Sequence, residues 1–252
     1  MTYVFDNSAP LAADRLKALA DVHDASSIRH LTARGVCRGW KCLEIGGGLG
    51  TITRWLSKRV GPDGYVMATD IDTRFLETLQ LTNVEVRRHD ILTDPLPEAT
   101  FDLAVARLVL EHLPDPDTAL DRIISAVRPG GWVLVEDLEP ADSISKSMAA
   151  LHDVAAQAGV HFRLALSLPR RLRARGLVCL GNEGRVRLCQ GDSPAARLAR
   201  LNLEQLRDPI LATGRLTVEE FETDLARLGD EEFVWRSATL WSAWGRRPEI
   251  SG

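Results

Sequence analysis

Residues 44–50 read Glu44-Ile45-Gly46-Gly47-Gly48-Leu49-Gly50. Glycines let the backbone turn left-handed and let a ligand come close to the chain. The stretch lies between an apolar run, Cys42-Leu43-Glu44-Ile45, and a helical pattern over residues 51–60, where Ile52, Trp55, Leu56 and Val60 share one face. A helix start presents unpaired N–H groups. Strand, glycine loop and helix in that order make a loop suited to a nucleotide-like cofactor. The dinucleotide fingerprint GxGxxG is shaped for a pyrophosphate. Here the glycines fall at 46, 48 and 50, and position 51 is Thr. Glu44 would sit poorly against a pyrophosphate and suits a cofactor that carries a cationic amino group.

Two further carboxylates stand where such a cofactor would need them. Asp70 lies twenty residues beyond Gly50, at the end of the next apolar run. A carboxylate there hydrogen-bonds ribose hydroxyls in Rossmann-like sites. Asp72 is a near neighbour that would point elsewhere. Asp90 ends a third run and can accept from an exocyclic amino group of adenine; the same residue also suits a turn.

A proton acceptor is harder to find. His112, in Leu110-Glu111-His112-Leu113-Pro114, follows the fourth apolar run and reads either as a general base or as an architectural residue. Glu111 is weaker. His152 and His161 flank a later amphipathic segment and read as surface or loop residues. Glu136-Asp137 closes the fifth run with no further carboxylate evident beside it, and no metal site is expected. Tyr3 and Phe5 are candidates for a lid or for ordinary packing, and Trp241 and Trp244 read as sheet packing. Arg170, Arg171, Arg173 and Arg175 read as a solvated helix face without the interleaved aromatics of an RNA site.

These residues need a frame, and the chain supplies one. Apolar strands are expected at residues 42–45, 65–69, 84–88, 101–106 and 132–136. Helices fall between them at 51–60, around 74–79 and at 118–127. The segments Gly61-Pro62-Asp63-Gly64 and Pro129-Gly130-Gly131 read as turns. Alternating strands and helices imply βαβ crossovers and a mostly parallel sheet. Near-continuous apolar strands imply helices on both faces. The ligand then sits outside the carboxyl ends of the strands, where strand order reverses. The flanks are less regular. Two helices are expected before residue 35, one after Pro10 and one over residues 26–34. Others are expected at 143–158, 169–175, 195–211 and 218–228. Residues 178–189 read as a sixth strand with an irregular middle, and 233–245 as a closing strand.

Composition narrows the class. The chain has 252 residues, 45% apolar and 26% charged, with a net charge of −4. That is a globular balance without the basic excess of a phosphate-gripping protein. The four cysteines, Cys37, Cys42, Cys179 and Cys189, form no CxxC pair, and read as buried or half-buried thiols of a reducing cytosol. Residues 1–13 lack the pattern of a signal peptide. No apolar run reaches the roughly 18 residues of a membrane span. A soluble, cytoplasmic protein is expected, with a small-molecule substrate and neither nucleic acid nor membrane as partner. Its oligomeric state is unreadable, a homodimer remaining open.

Taken together, residues 42–50 resemble motif I of the class I S-adenosylmethionine-dependent methyltransferases. Ala68-Thr69-Asp70-Ile71-Asp72 resembles that family's acidic motif, and Arg88-His89-Asp90-Ile91 its adenine-contacting motif. Residues 101–107 and 127–132 resemble its fourth strand and the turn before its fifth. The resemblance covers residues 39–137, with a closing hairpin at 233–245, and is closest to small-molecule methyltransferases similar to the quinone C-methyltransferases. It implies a Rossmann-like, doubly wound α/β fold with a mostly parallel seven-stranded sheet. It implies one methyltransferase domain over residues 1–252, with helical lid elements near 1–34, 141–165 and 193–212. It also implies S-adenosyl-L-methionine as cofactor. Gly46, Gly47 and Gly48 would let the backbone meet the methionine end, with Glu44 orienting it directly or through water. Asp70 would hold the ribose, with Ile71 beside it also at the cofactor, Asp90 and Ile91 would frame the adenine, and the backbone near Arg107 would contact the methionine amino group. The implied reaction is in-line transfer of a methyl group to an O, N or C nucleophile of a small, natural-product-like molecule. The motifs report cofactor binding, so a non-methylating cyclase or rearrangement enzyme that keeps the same cofactor is the alternative. An NAD-dependent oxidoreductase is a lesser one. The [N/D]-Pro-Pro-[Y/F] and Pro-Cys motifs of nucleic-acid methyltransferases are absent from the sequence.

Overall fold

The computed structural model describes residues 4–141 and 144–249. Tyr3, and Ser143 at the expected start of a helix, lie outside them. The strands are β1 Lys41–Ile45, β2 Tyr65–Asp70, β3 Val84–Arg88, β4 Phe101–Arg107, β5 Val127–Glu139, β6 Val178–Arg185, β7 Leu188–Gln190, β8 Val234–Arg236 and β9 Thr239–Arg246. The helices are α1 Ala12–Ala33, α2 Thr51–Val60, α3 Pro116–Ala126, α4 Lys146–Gln157, α5 Leu168–Ala174, α6 Pro194–Gln205, α7 Arg207–Ala212 and α8 Val218–Arg227. Seven strands form one sheet in the order β3-β2-β1-β4-β5-β9-β6. β1 to β5 run parallel, and β9 is antiparallel to both its neighbours. Order reverses between β1 and β4, which makes the carboxyl ends of those strands the switch point.

Both faces of the sheet are covered, so alternate residues of each strand enter different cores. On one side, Leu103 and Val105 of β4 and Leu134 of β5 pack with Leu31, Ile52, Leu56 and Val60 from α1 and α2. On the other, Phe101, Ala104 and Ala106 of β4 pack with Leu120 and Ile123 of α3 and Leu168 and Leu172 of α5. α4, α6, α7 and α8 bury a third cluster that includes Leu151, Leu203, Ile210, Phe221 and Leu225, and α1 packs against α6.

Local chemistry explains the helix starts. Asp115 caps α3 by accepting from the Thr118 amide at 3.0 Å, with Pro116 as its first residue. Thr217 and Glu220 form a reciprocal capping box on α8.

Several expectations change in the structure. Residues 12–33 form one helix rather than two, because Val22, Ser26, Ser27 and His30 are all buried along its length and nothing in it breaks the backbone. Pro129-Gly130-Gly131 is an irregularity inside β5, where the register to β4 shifts, rather than a turn before it. The segment 178–189 divides into β6 and β7, and 233–245 into β8 and β9. The outer pieces β7 and β8 pair with each other as a separate ribbon. Residues 195–211 are two helices that meet at Leu206. Two of the four thiols, Cys37 and Cys179, are exposed rather than buried. Arg171 and Arg175 are ion-paired to Asp117 of α3, and Arg175 also to Asp121 at 2.5 Å, so that basic helix is pinned rather than only solvated. No helix of the described residues is long and apolar enough to cross a membrane.

Candidate functional site

The loop between β1 and α2 doubles back on the sheet. The Gly46 and Gly47 amides both donate to the Thr69 carbonyl, at 2.8 and 3.0 Å. Gly46 sits at φ 70° and Gly48 at φ 52°, left-handed conformations that disfavour a side chain. At Gly46 a Cβ would lie 2.3 Å from Val109 Cγ2, so no side chain fits. At Gly48 the nearest atom is Leu16 Cδ2 at 3.7 Å, an ordinary contact, so a Cβ could be accommodated in the space beside the loop.

That space is a cavity of about 270 Å³ at the switch point. Its floor is the glycine loop with Ile45 and Thr51. Its sides are Asp70 and Ile71 after β2, His89 to Leu92 after β3, and Arg107 to Val109 with His112 to Pro114 after β4. Its roof is Leu16, Leu19 and Ala20 of α1, with Asn7 ahead of that helix. Gly46, Gly47, Gly48, Asp70, Ile71, Asp90, Ile91, Arg107 and His112 therefore share one cavity. Glu44 does not line it. It is buried behind the loop, where Oε2 accepts from the Thr53 hydroxyl at 2.5 Å. Burial pushes its carboxyl up to about 7; the Thr53 bond and the Arg107 charge oppose that rise.

The acidic residues hold the walls in shape. Asp70 Oδ2 accepts from the Gly48 amide at 2.9 Å, and Oδ1 from the Asp72 amide at 3.0 Å. Burial raises its carboxyl, while those two amides work against the rise. Asp90 Oδ1 accepts from the Leu92 amide at 2.9 Å, so one oxygen is spent on the turn; Oδ2 has no hydrogen bond to a described residue. Ile71 is 54% exposed at the rim, an unusual position for so large an apolar side chain, whereas Ile91 is buried below it.

Arg107 Nη1 reaches Asp24 Oδ1 at 2.9 Å and the Ser27 hydroxyl at 3.1 Å, both on α1. Ser27 also donates to Glu136 Oε2, and Ser242 of β9 donates to Glu136 Oε1 at 2.5 Å. One buried carboxylate thus ties the roof helix to the sheet. Asp137 has a neighbour that the sequence did not reveal: the buried carboxyl of Glu111 accepts from the Leu138 amide at 3.0 Å, and raises Asp137 by its charge. His112 Nε2 lies 3.5 Å from Glu111 Oε1. Burial, aided by the Arg15 charge, pushes the His112 imidazole down to about 4, so it is neutral at pH 7.

Other residues lie away from the cavity. His152 packs edge-on to Phe162, with centroids 5.4 Å apart. His161 lines a neighbouring open cleft with Phe162, Arg163 and Arg171. The Arg15 guanidinium sits 4.3 Å over the Phe5 ring, and Phe5 packs on the third cluster, that of α4 and α6 to α8. Asn7 and Leu108 line the cavity without any signal in the sequence. Leu108 sits at φ 55°, an unusual strain for a leucine and one found at functional turns. Among the described residues, no group of three or more His, Cys, Asp or Glu could hold a metal ion.

Residues 7–181 match the family described as Methyltransferase domain, more than half of the chain. The chain belongs to the methyltransferase-domain family. It is similar to the ubiquinone/menaquinone biosynthesis C-methyltransferase UbiE of Idiomarina loihiensis, 32% identical over 127 residues, which cover 47% of this chain and 50% of that protein. It is similar to the demethylmenaquinone methyltransferase of Staphylococcus aureus, 31% identical over 147 residues, covering 55% of this chain and 61% of that one. The match thus spans roughly half to three fifths of these relatives' lengths. The fold also matches Haemonchus contortus phosphoethanolamine N-methyltransferase 2, solved with phosphomonomethylethanolamine and S-adenosylhomocysteine, at a TM-score of 0.64 and 14% identity. That match covers 99% of this chain and 61% of the other. The methyltransferase domain here is of the class I, S-adenosylmethionine-dependent kind, related to the quinone methyltransferases.

The residues present suit that cofactor. Gly48 lines the cavity with room for a close ligand, Asp70 and Asp90 offer carboxylates at the ends of adjacent parallel strands, and an exposed isoleucine edges the cavity between them.

Proposed function

We propose that the protein transfers the methyl group of S-adenosylmethionine to an O, N or C nucleophile of a small molecule. The observation that carries this reading is the single cavity that brings Gly46 to Gly48, Asp70, Asp90, Arg107 and His112 together at the switch point. The cofactor supplies an electrophilic methyl group on a sulfonium that leaves as a neutral thioether.

The chain's own residues bind, orient and exclude water. Asp70 holds ribose hydroxyls while keeping the glycine loop in place through the Gly48 amide. Asp90 accepts from adenine through its spare oxygen, and Ile71 and Ile91 pack against the ring faces. Gly46, Gly47 and Gly48 allow close approach of the methionine end, as does the backbone beside Arg107. Glu44, not being on the wall, acts from behind the loop, through Thr53 at the start of α2. Leu16, Leu19 and Ala20 of α1 roof the cavity and shield it from water. Holding the acceptor against the methyl carbon supplies most of the rate enhancement. His112, neutral at pH 7 and on the cavity wall, is placed to take the acceptor's proton.

A small acceptor is supported by the cavity's mostly apolar wall with a few converging polar groups and by the acidic net charge. Four unpaired cysteines fit a reducing compartment and support a cytoplasmic location. The reading is tested by incubating the protein and methyl-labelled cofactor with separate panels of hydroquinones, phenols and amines, and with transfer RNA. Label in a small-molecule product is expected. Label only in RNA or protein, or cofactor bound without transfer to any class, would overturn it, the latter in favour of a non-methylating enzyme.

A further inference from the structure

Two buried carboxyl groups lie behind His112, and the reading above gives them no role. Glu111 is 4% exposed and Asp137 is 1% exposed. Neither is ion-paired to an Arg or Lys among the described residues; the only charged-type partner is the His112 ring, 3.5 Å from Glu111. Glu111 Oε2 accepts from the amide of Leu138, the residue after Asp137, which fixes the two side chains close together. Neither Asp137 oxygen makes a hydrogen bond of ordinary geometry to a described residue, although the Glu111 and Val109 amides are near enough to act on it. Two like charges cannot share such a site. One proton must stay with the pair.

We propose that Asp137 keeps that proton, and that the Glu111 carboxylate then fixes the His112 ring with Nε2–H toward itself and stabilises the ring once it is protonated. Both acids are positioning residues. The proposal rests on His112 being the proton acceptor of the site. Methylation of an O–H or N–H acceptor releases one proton. His112 Nδ1 takes it, Nε2–H remains on Glu111, and the Asp137 proton does not move. A buried acid behind an imidazole plays the same part in hydrolase triads.

The charges around the group agree with this assignment. Burial raises Glu111, and the Leu138 amide opposes the rise. Asp137 is driven well above the usual carboxyl range by burial, then by Glu111 and Glu136. The Leu138 amide favours the ionised form of Glu111, and Asp137 has no such hydrogen bond from a described residue. Arg15, from α1, opposes protonation of His112. The Glu111 carboxyl, 3.5 Å from His112 Nε2, is placed to counter that charge once it is ionised.

The test needs neither cofactor nor acceptor, so its failure is separate from failure of the methyltransferase reading. Nitrogen NMR of the full chain, with His112 assigned by His112→Gln, reports the ring tautomer at pH 8. An Nε2–H preference of about tenfold or more is expected from a charged hydrogen bond. Glu111→Leu should reduce that preference at least fivefold, and Glu111→Asp should retain it. Infrared spectra at pH 8 should contain a protonated, buried carboxyl band that is missing from Asp137→Asn, a comparison independent of whether Glu111→Leu folds. Equal tautomer populations in wild type and Glu111→Leu would overturn the proposal. So would a pH 8 spectrum without that band, or a band that survives in Asp137→Asn.

Discussion

The Gly48 amide donates to Asp70 Oδ2 at 2.9 Å, so the glycine loop after β1 and the end of β2 form one unit before any ligand arrives. Asp70 therefore has two duties: it shapes the loop, and it presents its carboxylate to the cavity.

Asp70→Ala should weaken S-adenosylmethionine binding at least about tenfold, because each hydrogen bond to a charged acceptor is worth on the order of 1.5–3 kcal/mol. Asp70→Asn should lose less, since an amide oxygen can still accept from Gly48. Calorimetric titration of the folded variants checks both. Unchanged affinity in Asp70→Ala would remove this residue from the site.

Gly46 and Gly48 should respond differently to alanine. Gly46→Ala forces a methyl group into Val109 and should cost roughly 1–3 kcal/mol of stability by overpacking, with left-handed strain added. Gly48→Ala meets nothing closer than 3.7 Å, so its stability loss should be limited to about 1–2 kcal/mol of backbone strain. Its methyl group would instead enter the space a cofactor uses. Thermal unfolding and cofactor titration together separate the two: a large Tm loss at 46, a large affinity loss at 48.

Glu136 is fully buried between Ser27 of α1 and Ser242 of β9. Glu136→Ala strands both hydroxyls and should cost about 1–3 kcal/mol. It should also loosen the roof helix, seen as faster amide hydrogen exchange over residues 20–30 than over β1 or β4. Uniform exchange across these elements would contradict the clamp.

Glu44 gives a pH dependence of stability. Its folded value is raised from 4.5 to about 7 by burial. A raised carboxyl favours the folded state while protonated, so its contribution is complete below about pH 4.5 and is lost as pH climbs through 7. Glu44→Gln should flatten the fall in Tm between those limits. A wild-type profile that rises over this range in step with Glu44 ionisation would contradict the burial argument.

Much of the sheet could be read from sequence because β1 to β5 are apolar runs punctuated by glycine, proline and aspartate. The glycine loop combined conformational need with position, and that placed the cavity. What escaped depended on contacts between distant segments. Ser26, Ser27 and His30 look like breaks in an apolar helix face, yet they are buried against Arg107, Glu136 and Trp244, so α1 continues through them. β7 and β8 lie 44 residues apart and pair only because the chain folds back there. Glu111 and Asp137 are separated by 26 residues, and only the parallel pairing of β4 with β5 brings them together. Position in sequence suggested Glu44 as a ligand-orienting residue; its contact with Thr53 sets it behind the loop instead.

The cavity at the switch point is shaped for an adenosyl sulfonium cofactor rather than a dinucleotide. Calorimetric titration of the purified protein with S-adenosylmethionine, S-adenosylhomocysteine and NAD distinguishes the two. Micromolar binding of both adenosyl ligands and no heat from NAD are expected. Failure of both adenosyl ligands to bind a folded protein, or tighter binding of NAD, would contradict this assignment.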